Sequence, residues 1–209
     1  MKKTGFTLAE VLVTLSIIGV VAATTLPSIN SNVQKAQIGP ILAKAINTLE
    51  NANRMALQEY ETSNLATAAK CIKEELGNAT PSEAGGNYLD IMYKYVSGSH
   101  SGTSGSEFRS KDGIIYDLAD NTVTGSSTLT NKYSNKAYQI EIDINGNKKP
   151  NAGGEDRFNV LVDQAGTVIP VGGQEYARYK NTDTTSCTSD SKSANCTGNI
   201  ADNGWKVLY

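Results

Sequence analysis

Few side chains in this sequence could do chemistry, and most are badly placed for it. His100 is the only histidine, and it stands in a Ser/Gly-rich stretch, 97–106, so no Ser-His-Asp or Cys-His constellation can be assembled on rigid elements. No CxxC pair, HExxH, phosphate loop or dinucleotide fingerprint occurs. Carboxylate pairs such as Asp117 and Asp120 read as solvated surface, so the sequence gives an enzyme no footing. Asp143, Asn145, Asn147, Glu155 and Asp156 crowd oxygen ligands into a short span that Ca²⁺ would accept. That span lacks the twelve-residue EF-hand pattern, and Asn, Asp and Gly are what plain turns use. Hydrogen-bonded turns without a cofactor are the reading; calcium on Asp143, Asn145 and Asp156 is the alternative. Glu10 stands apart. It is one carboxylate at the head of an otherwise apolar segment, where it costs up to about 2.5–3.5 kcal/mol in a bilayer, less near the interface, and marks function by default.

The element that must position Glu10 is Phe6–Leu26, long enough to cross a bilayer, which takes roughly 20 residues at about 1.5 Å each. Lys2 and Lys3 would hold its N-terminus on the cytoplasmic side. A secretory signal peptide also has a basic start and could be cut near Val21-Ala22-Ala23. Its apolar region, however, spans only about 7–15 residues, and it has no use for Glu10. A plain membrane anchor has no use for Glu10 either.

Gly5-Phe6-Thr7-Leu8-Ala9-Glu10, preceded by lysines and followed by a long apolar run, resembles the processing site of type IV pilins and type II secretion pseudopilins. The resemblance implies a dedicated prepilin peptidase that cuts between Gly5 and Phe6 and methylates the new N-terminal Phe6. Glu10 would then be the glutamate that guides the subunit into a filament. Gly19 and Pro27 fall where pilins often carry a helix-loosening glycine and proline. A second stretch, Asp143-x-Asn145-Gly146 to Pro150-Asn151 with Gly154-x-Asp156-x-Phe158, is similar to a head segment of bacterial pilin-like proteins, and some secretion pseudopilins hold calcium in a head loop.

Beyond Pro27, apolar residues recur every three or four positions: Ile38, Ile41, Leu42, Ala45, Ile46, Leu49, Ala52, Ala56, Leu57 and Tyr60. Lys44, Asn47, Asn51, Arg54, Gln58 and Glu61 fall opposite, as an amphipathic helix requires. Joined to the membrane segment, the helix would run about 55 residues, roughly 80 Å. Pro27 and Gly39-Pro40 should kink or locally unwind it. Thr62-Ser63-Asn64 reads as a break and N-cap, Leu65–Leu76 as a helix stopped by Gly77, with Cys71 buried in its packing. Residues 81–87 are a loop, 88–96 a third helix, and 97–106 a flexible exposed loop. The period then changes to two. Strands are expected at 108–110 and 114–118 around Lys111-Asp112-Gly113, then at 137–144, 157–163 and 167–171, with Pro170 on an edge strand. Residues 175–209 look irregular, with Trp205 and Tyr209 closing back onto the sheet.

Charged residues make up 19 % of the chain and the formal net charge is −2, which gives no general electrostatic case for nucleic-acid binding. The three cysteines are Cys71, Cys187 and Cys196. In an exported head, Cys187 and Cys196 would close a short disulfide loop and leave Cys71 a thiol.

The fold expected is α+β, a long N-terminal helix packed on a small antiparallel sheet. The expected division is leader 1–5, membrane and filament-core helix 6–26, amphipathic helix 27–61 and head 62–209. The resemblance implies a single-pass protein of the bacterial inner membrane, head outside the cytoplasm, then a structural subunit of a pilus or pseudopilus. Implied partners are the prepilin peptidase, the platform membrane protein, the assembly ATPase, membrane lipid, and copies of itself or other pilins. The alternative is a minor tip pilin whose head binds DNA, a surface or a secreted substrate, with 97–106 and the Cys187–Cys196 region as the places for such a site.

Overall fold

The computed structural model describes residues 5, 7–77, 88–101, 106–118, 138–180 and 187–209. The chain divides into two compact units, Met1–Gln37 and Ile38–Tyr209. Helix α1 (Leu8–Glu59) contributes to both and is unbroken through Pro27 and Pro40. The expected local unwinding at the prolines is absent: each removes one ladder bond, and the bonds on either side keep the backbone helical.

In the second unit α1 behaves as its periodicity dictates. Leu42, Ala45, Ile46, Leu49, Ala52 and Ala56 are buried, while Lys44, Asn47, Asn51, Arg54 and Gln58 face solvent. The buried stripe joins one apolar core with Tyr116, Ile140, Ile142, Phe158 and Val160 of the sheet. Helix α2 (Leu65–Leu76) has the expected bounds, and its N-cap Asn64 accepts hydrogen bonds from the backbone of Ala66 and Thr67. Helix α3 is Tyr88–Tyr95. The loop expected at 81–87 lies outside the described residues.

The sheet is a six-stranded antiparallel meander in the order β1-β2-β3-β4-β5-β6. Its strands are β1 (Gly98–Ser101), β2 (Glu107–Ser110), β3 (Ile115–Leu118), β4 (Tyr138–Asp143), β5 (Arg157–Val162) and β6 (Val168–Pro170). All five expected strands appear, as β2 to β6, with Tyr138, Ile140 and Ile142 turned into the core. The correction is β1, which occupies the start of the stretch expected to be a flexible loop. It pairs with β2 from Gly98↔Ser110 to Ser101↔Glu107. A Cβ on Gly98 would lie 2.3 Å from the carbonyl oxygen of Arg109, so glycine is what allows this approach. Pro170 does lie on an edge strand. Just beyond it the Val171 carbonyl accepts a 2.8 Å bond from the Gly198 amide, so the C-terminal segment covers that end. This segment is less irregular than expected, holding α4 (Gln174–Lys180), a 3₁₀ turn (Ala194–Cys196) and α5 (Thr197–Asp202). Helices of six or seven residues are too short to leave a readable period.

A buried polar knot joins the helices to the sheet. The Asn53 side chain, 1 % exposed, donates to Gly166 O at 2.9 Å and accepts from Tyr88 OH at 2.6 Å. Gln164 accepts the Leu65 and Ala66 amides, both at 2.9 Å, so the β5–β6 turn also seats the start of α2. At the far end of α1, Lys94 Nζ donates to Glu59 and Glu75, each at 2.7 Å, and to Tyr60 OH at 2.6 Å.

Burial opposes the charge on Lys94, but its bonds to Glu59, Glu75 and Tyr60 outweigh that and raise its pKa. The Lys94 hydrogen bond is also the main reason that Glu59 and Glu75 are held below 4.5. A carboxylate depressed in the folded state contributes stability above its unfolded pKa and loses it as pH falls through the folded value. Denaturation of the chain in detergent micelles should therefore show stability falling below about pH 4.5, and Lys94→Met should flatten that fall. A variant as acid-sensitive as the wild type would show the clamp to be energetically idle.

Candidate functional site

The N-terminal end of α1 is built by a reciprocal pair. Gly5 and Thr7 are not helical, and the helix starts at Leu8. Thr7 is the N-cap: its carbonyl accepts the first ladder bond, from the Val11 amide at 3.3 Å. Its hydroxyl oxygen accepts the Glu10 amide at 3.3 Å, and Glu10 Oε2 accepts the Thr7 amide at 2.8 Å and the Thr7 hydroxyl at 2.7 Å. Thr7-x-x-Glu10 is thus a capping box, in which two otherwise unpaired amides are satisfied reciprocally. A carboxylate at this end also complements the helix dipole. Sequence reasoning singled out Glu10 and missed Thr7, although threonine three residues before glutamate at the head of an apolar run is the signal for such a box. Phe6 lies outside the described residues.

From Leu8 to Thr25 the helix is long and apolar enough to cross a membrane, and none of that span is buried within the chain. Leu8 is 78 % exposed, Ile18 63 % and Val20 67 %. Glu10 is the only charged residue in it. Its hydroxyls are spent internally: Thr14 on Val11 O, Ser16 on Leu12 O, Thr24 on Val20 O and Val21 O, and Thr25 on Val21 O. Beyond its first turn the span therefore offers apolar side chains and no unmet hydroxyl, which is what a lipid or protein interior accepts.

Residues 1–26 match the family model described as the prokaryotic N-terminal methylation motif. The chain therefore carries the signature of type IV pilins and pseudopilins, on a membrane-type helix attached to an α+β head. No curated protein and no solved structure matches it.

The other sequence candidates lie in the head. Asp156 accepts the Asn151 amide at 2.7 Å, the Ala152 amide at 2.6 Å and the Asn145 side chain at 3.1 Å. Asp143 is buried, which raises its pKa, and its Oδ1 accepts the Asn145 amide at 3.2 Å. Asn147 is exposed, and Glu155 pairs with Lys192 at 2.7 Å. The Asp156 oxygens and Asp143 Oδ1 face N–H donors, an arrangement that holds the turn together. Among the described residues no group of three or more His, Cys, Asp or Glu is placed to hold a metal. Asp117 is half-buried, and Asp120 lies outside the described residues.

Cys187 and Cys196 are joined by a disulfide, with Cα atoms 5.8 Å apart. Cys71 is a free thiol and half-exposed on α2, not buried as expected, because the buried face of that helix is Leu65, Ala68, Ala69 and Ile72. The segment after Cys187 packs backbone against backbone: a Cβ on Gly153 would meet the Ala194 nitrogen at 2.5 Å. Tyr209 OH donates to Gly154 O at 2.8 Å, so Tyr209 closes onto the β4–β5 connection. Trp205 closes onto α1 as well, at the glycine expected to weaken that helix. A Cβ on Gly39 would lie 1.8 Å from the Trp205 carbonyl oxygen. Trp205 is the only tryptophan and packs, partly buried, against the core, so its fluorescence reports how the C-terminal turn is seated. Gly39→Ala should shift its emission to the red and lower thermal stability by about 1–3 kcal/mol, the usual cost of overpacking. Unchanged emission would mean that the C-terminal turn does not sit on α1.

Proposed function

We propose that the chain is a structural subunit of a type IV pilus or type II secretion pseudopilus. Its prepilin form is cleaved after Gly5, methylated at Phe6, held in the bacterial inner membrane with its head outside the cytoplasm, and then polymerised. The observation that carries this reading is the methylation motif at the head of an apolar helix that its own chain leaves wholly exposed. Lipid covers such a span before assembly, and the equivalent helices of other copies, or of other pilins, cover it afterwards. The peptidase, the platform membrane protein and the assembly ATPase are the partners this route requires, and it invokes no cofactor.

Glu10 supplies the register. Cleavage frees a cationic α-amine at Phe6, and methylation keeps its charge. Among packed helices, a carboxylate and an amine from adjoining subunits neutralise each other only in one axial alignment. Removing one member of such a buried pair costs about 3–5 kcal/mol. Glu10→Ala, expressed as the only copy, should therefore be inserted and cleaved normally, while sheared filaments fall by about two orders of magnitude or more. Normal filament yield would contradict the role, and failure of cleavage would move Glu10 to an earlier step.

A further inference from the structure

We infer that a groove along the solvent face of α1 receives helix α2 of an adjoining copy of the chain, an inference that rests on the filament assembly proposed for it. The groove is open and lies between α1 and the β5–β6 turn, where Leu57 and Gly166 line it. Glycine suits this place, since a Cβ on Gly166 would press on the Leu57 side chain at 3.0 Å. Two charges four residues apart on α1, Glu50 and Arg54, line the same groove. Among the described residues neither joins an ion pair, and Arg54 donates instead to Asn51 of its own helix at 2.8 Å. Partial burial and the nearby Glu175 both disfavour the charge on Glu50 and raise its pKa. A carboxylate in that setting gains from a cation brought by a partner.

The chain itself carries the complement. On α2, Lys70 and Glu74 also stand four residues apart, 65 % and 67 % exposed and only loosely joined at 3.9 Å. Beyond Glu50 and Arg54, this is the only exposed pair of opposite charges at that spacing among the described helices. Four residues rise about 6 Å in either helix, so the two pairs match in length. They match in order only when the helices run in the same sense, Glu50 against Lys70 and Arg54 against Glu74. The fold meets that condition. Helix α2 starts at Leu65, whose amide bonds to Gln164, two residues from the Gly166 carbonyl that accepts from Asn53. Near its end Glu75 shares Lys94 with Glu59. From Asn53 to Glu59 is the direction of α1, so α2 advances in the same sense. One helical operation relates all copies in a filament, so the α1 of one copy and the α2 of the next keep that sense. A contact between two different faces does not close on itself, as a growing polymer requires.

The test reverses the pairs without changing net charge. Glu50→Lys with Arg54→Glu reverses the groove, and Lys70→Glu with Glu74→Lys reverses α2. Each reversal keeps an opposite-charge pair within its own helix. Both double variants, the variant combining all four changes and Glu10→Ala are each expressed as the only copy of the full chain. Intact mass reads cleavage after Gly5, melting in detergent micelles reads folding of the head, and the yield of sheared filaments reads assembly. Either reversal should be cleaved and melt as the wild type and yield about tenfold less filament, because like charges then face each other. The combined variant should recover the yield. Carbodiimide treatment of wild-type filaments, a readout that needs no variant, should join the Glu50 peptide to the Lys70 peptide in the dimer band. Normal yield in either reversal, no recovery in the combined variant, or a dimer without that link would overturn the contact. If Glu10→Ala then still fails to assemble, the filament reading stands without this contact. Normal filaments in Glu10→Ala would overturn the filament reading itself.

Discussion

An apolar helical span that its own chain does not cover is the constraint on which everything else turns. Leu8–Thr25 is long enough to cross a bilayer, and none of it is buried. At about 25 cal/mol per Å² of apolar surface, such a span in water costs far more than the net stability of a domain. It must be covered by lipid or by other chains. Every polar group within it is accordingly answered locally, the hydroxyls by carbonyls one turn back and Glu10 by Thr7. What distinguishes this span from an ordinary anchor is that its one charge is kept, capped and directed, where a leucine would insert at lower cost.

The second unit meets a different requirement. From Ile38 onward α1 is amphipathic, and the six-stranded meander supplies the apolar surface that its inner stripe needs. Specificity in that core comes from Asn53, Tyr88 and Gln164, whose hydrogen bonds fix the helix against one turn of the sheet. A buried amide that fails to find its partners costs about 1–3 kcal/mol, so sliding α1 by one turn would be expensive. The C-terminal segment is held instead by the disulfide and by close backbone approaches at glycines.

Much of this was legible in the sequence because single residues or short periods carried it. The buried face of α1 and the alternation in β4 and β5 follow from spacing, and the bounds of α2 from its Asn64 cap and Gly77 stop. The Asp-Gly turn between β2 and β3 and the edge position of Pro170 follow from local backbone chemistry. Strand β1 was not legible, since a Gly/Ser/His run has no apolar alternation and its pairing is supplied by β2. The true function of Gly39 was hidden for a related reason: only the tertiary neighbour, Trp205, shows why a side chain is excluded there. Cys71 was misjudged because helical periodicity gives two faces and the thiol lies at the border between them. The Thr7–Glu10 box is written in the sequence as a threonine three residues before a glutamate at the head of an apolar run.

The central claim is that this helix enters the membrane as a precursor and leaves its leader behind at Gly5. Intact-mass analysis of the protein purified from the membranes of its own host tests this most directly. The account predicts a chain that begins at Phe6 and carries one added methyl group. A mature chain beginning at Thr24, after Val21-Ala22-Ala23, or one that retains Met1, would contradict it.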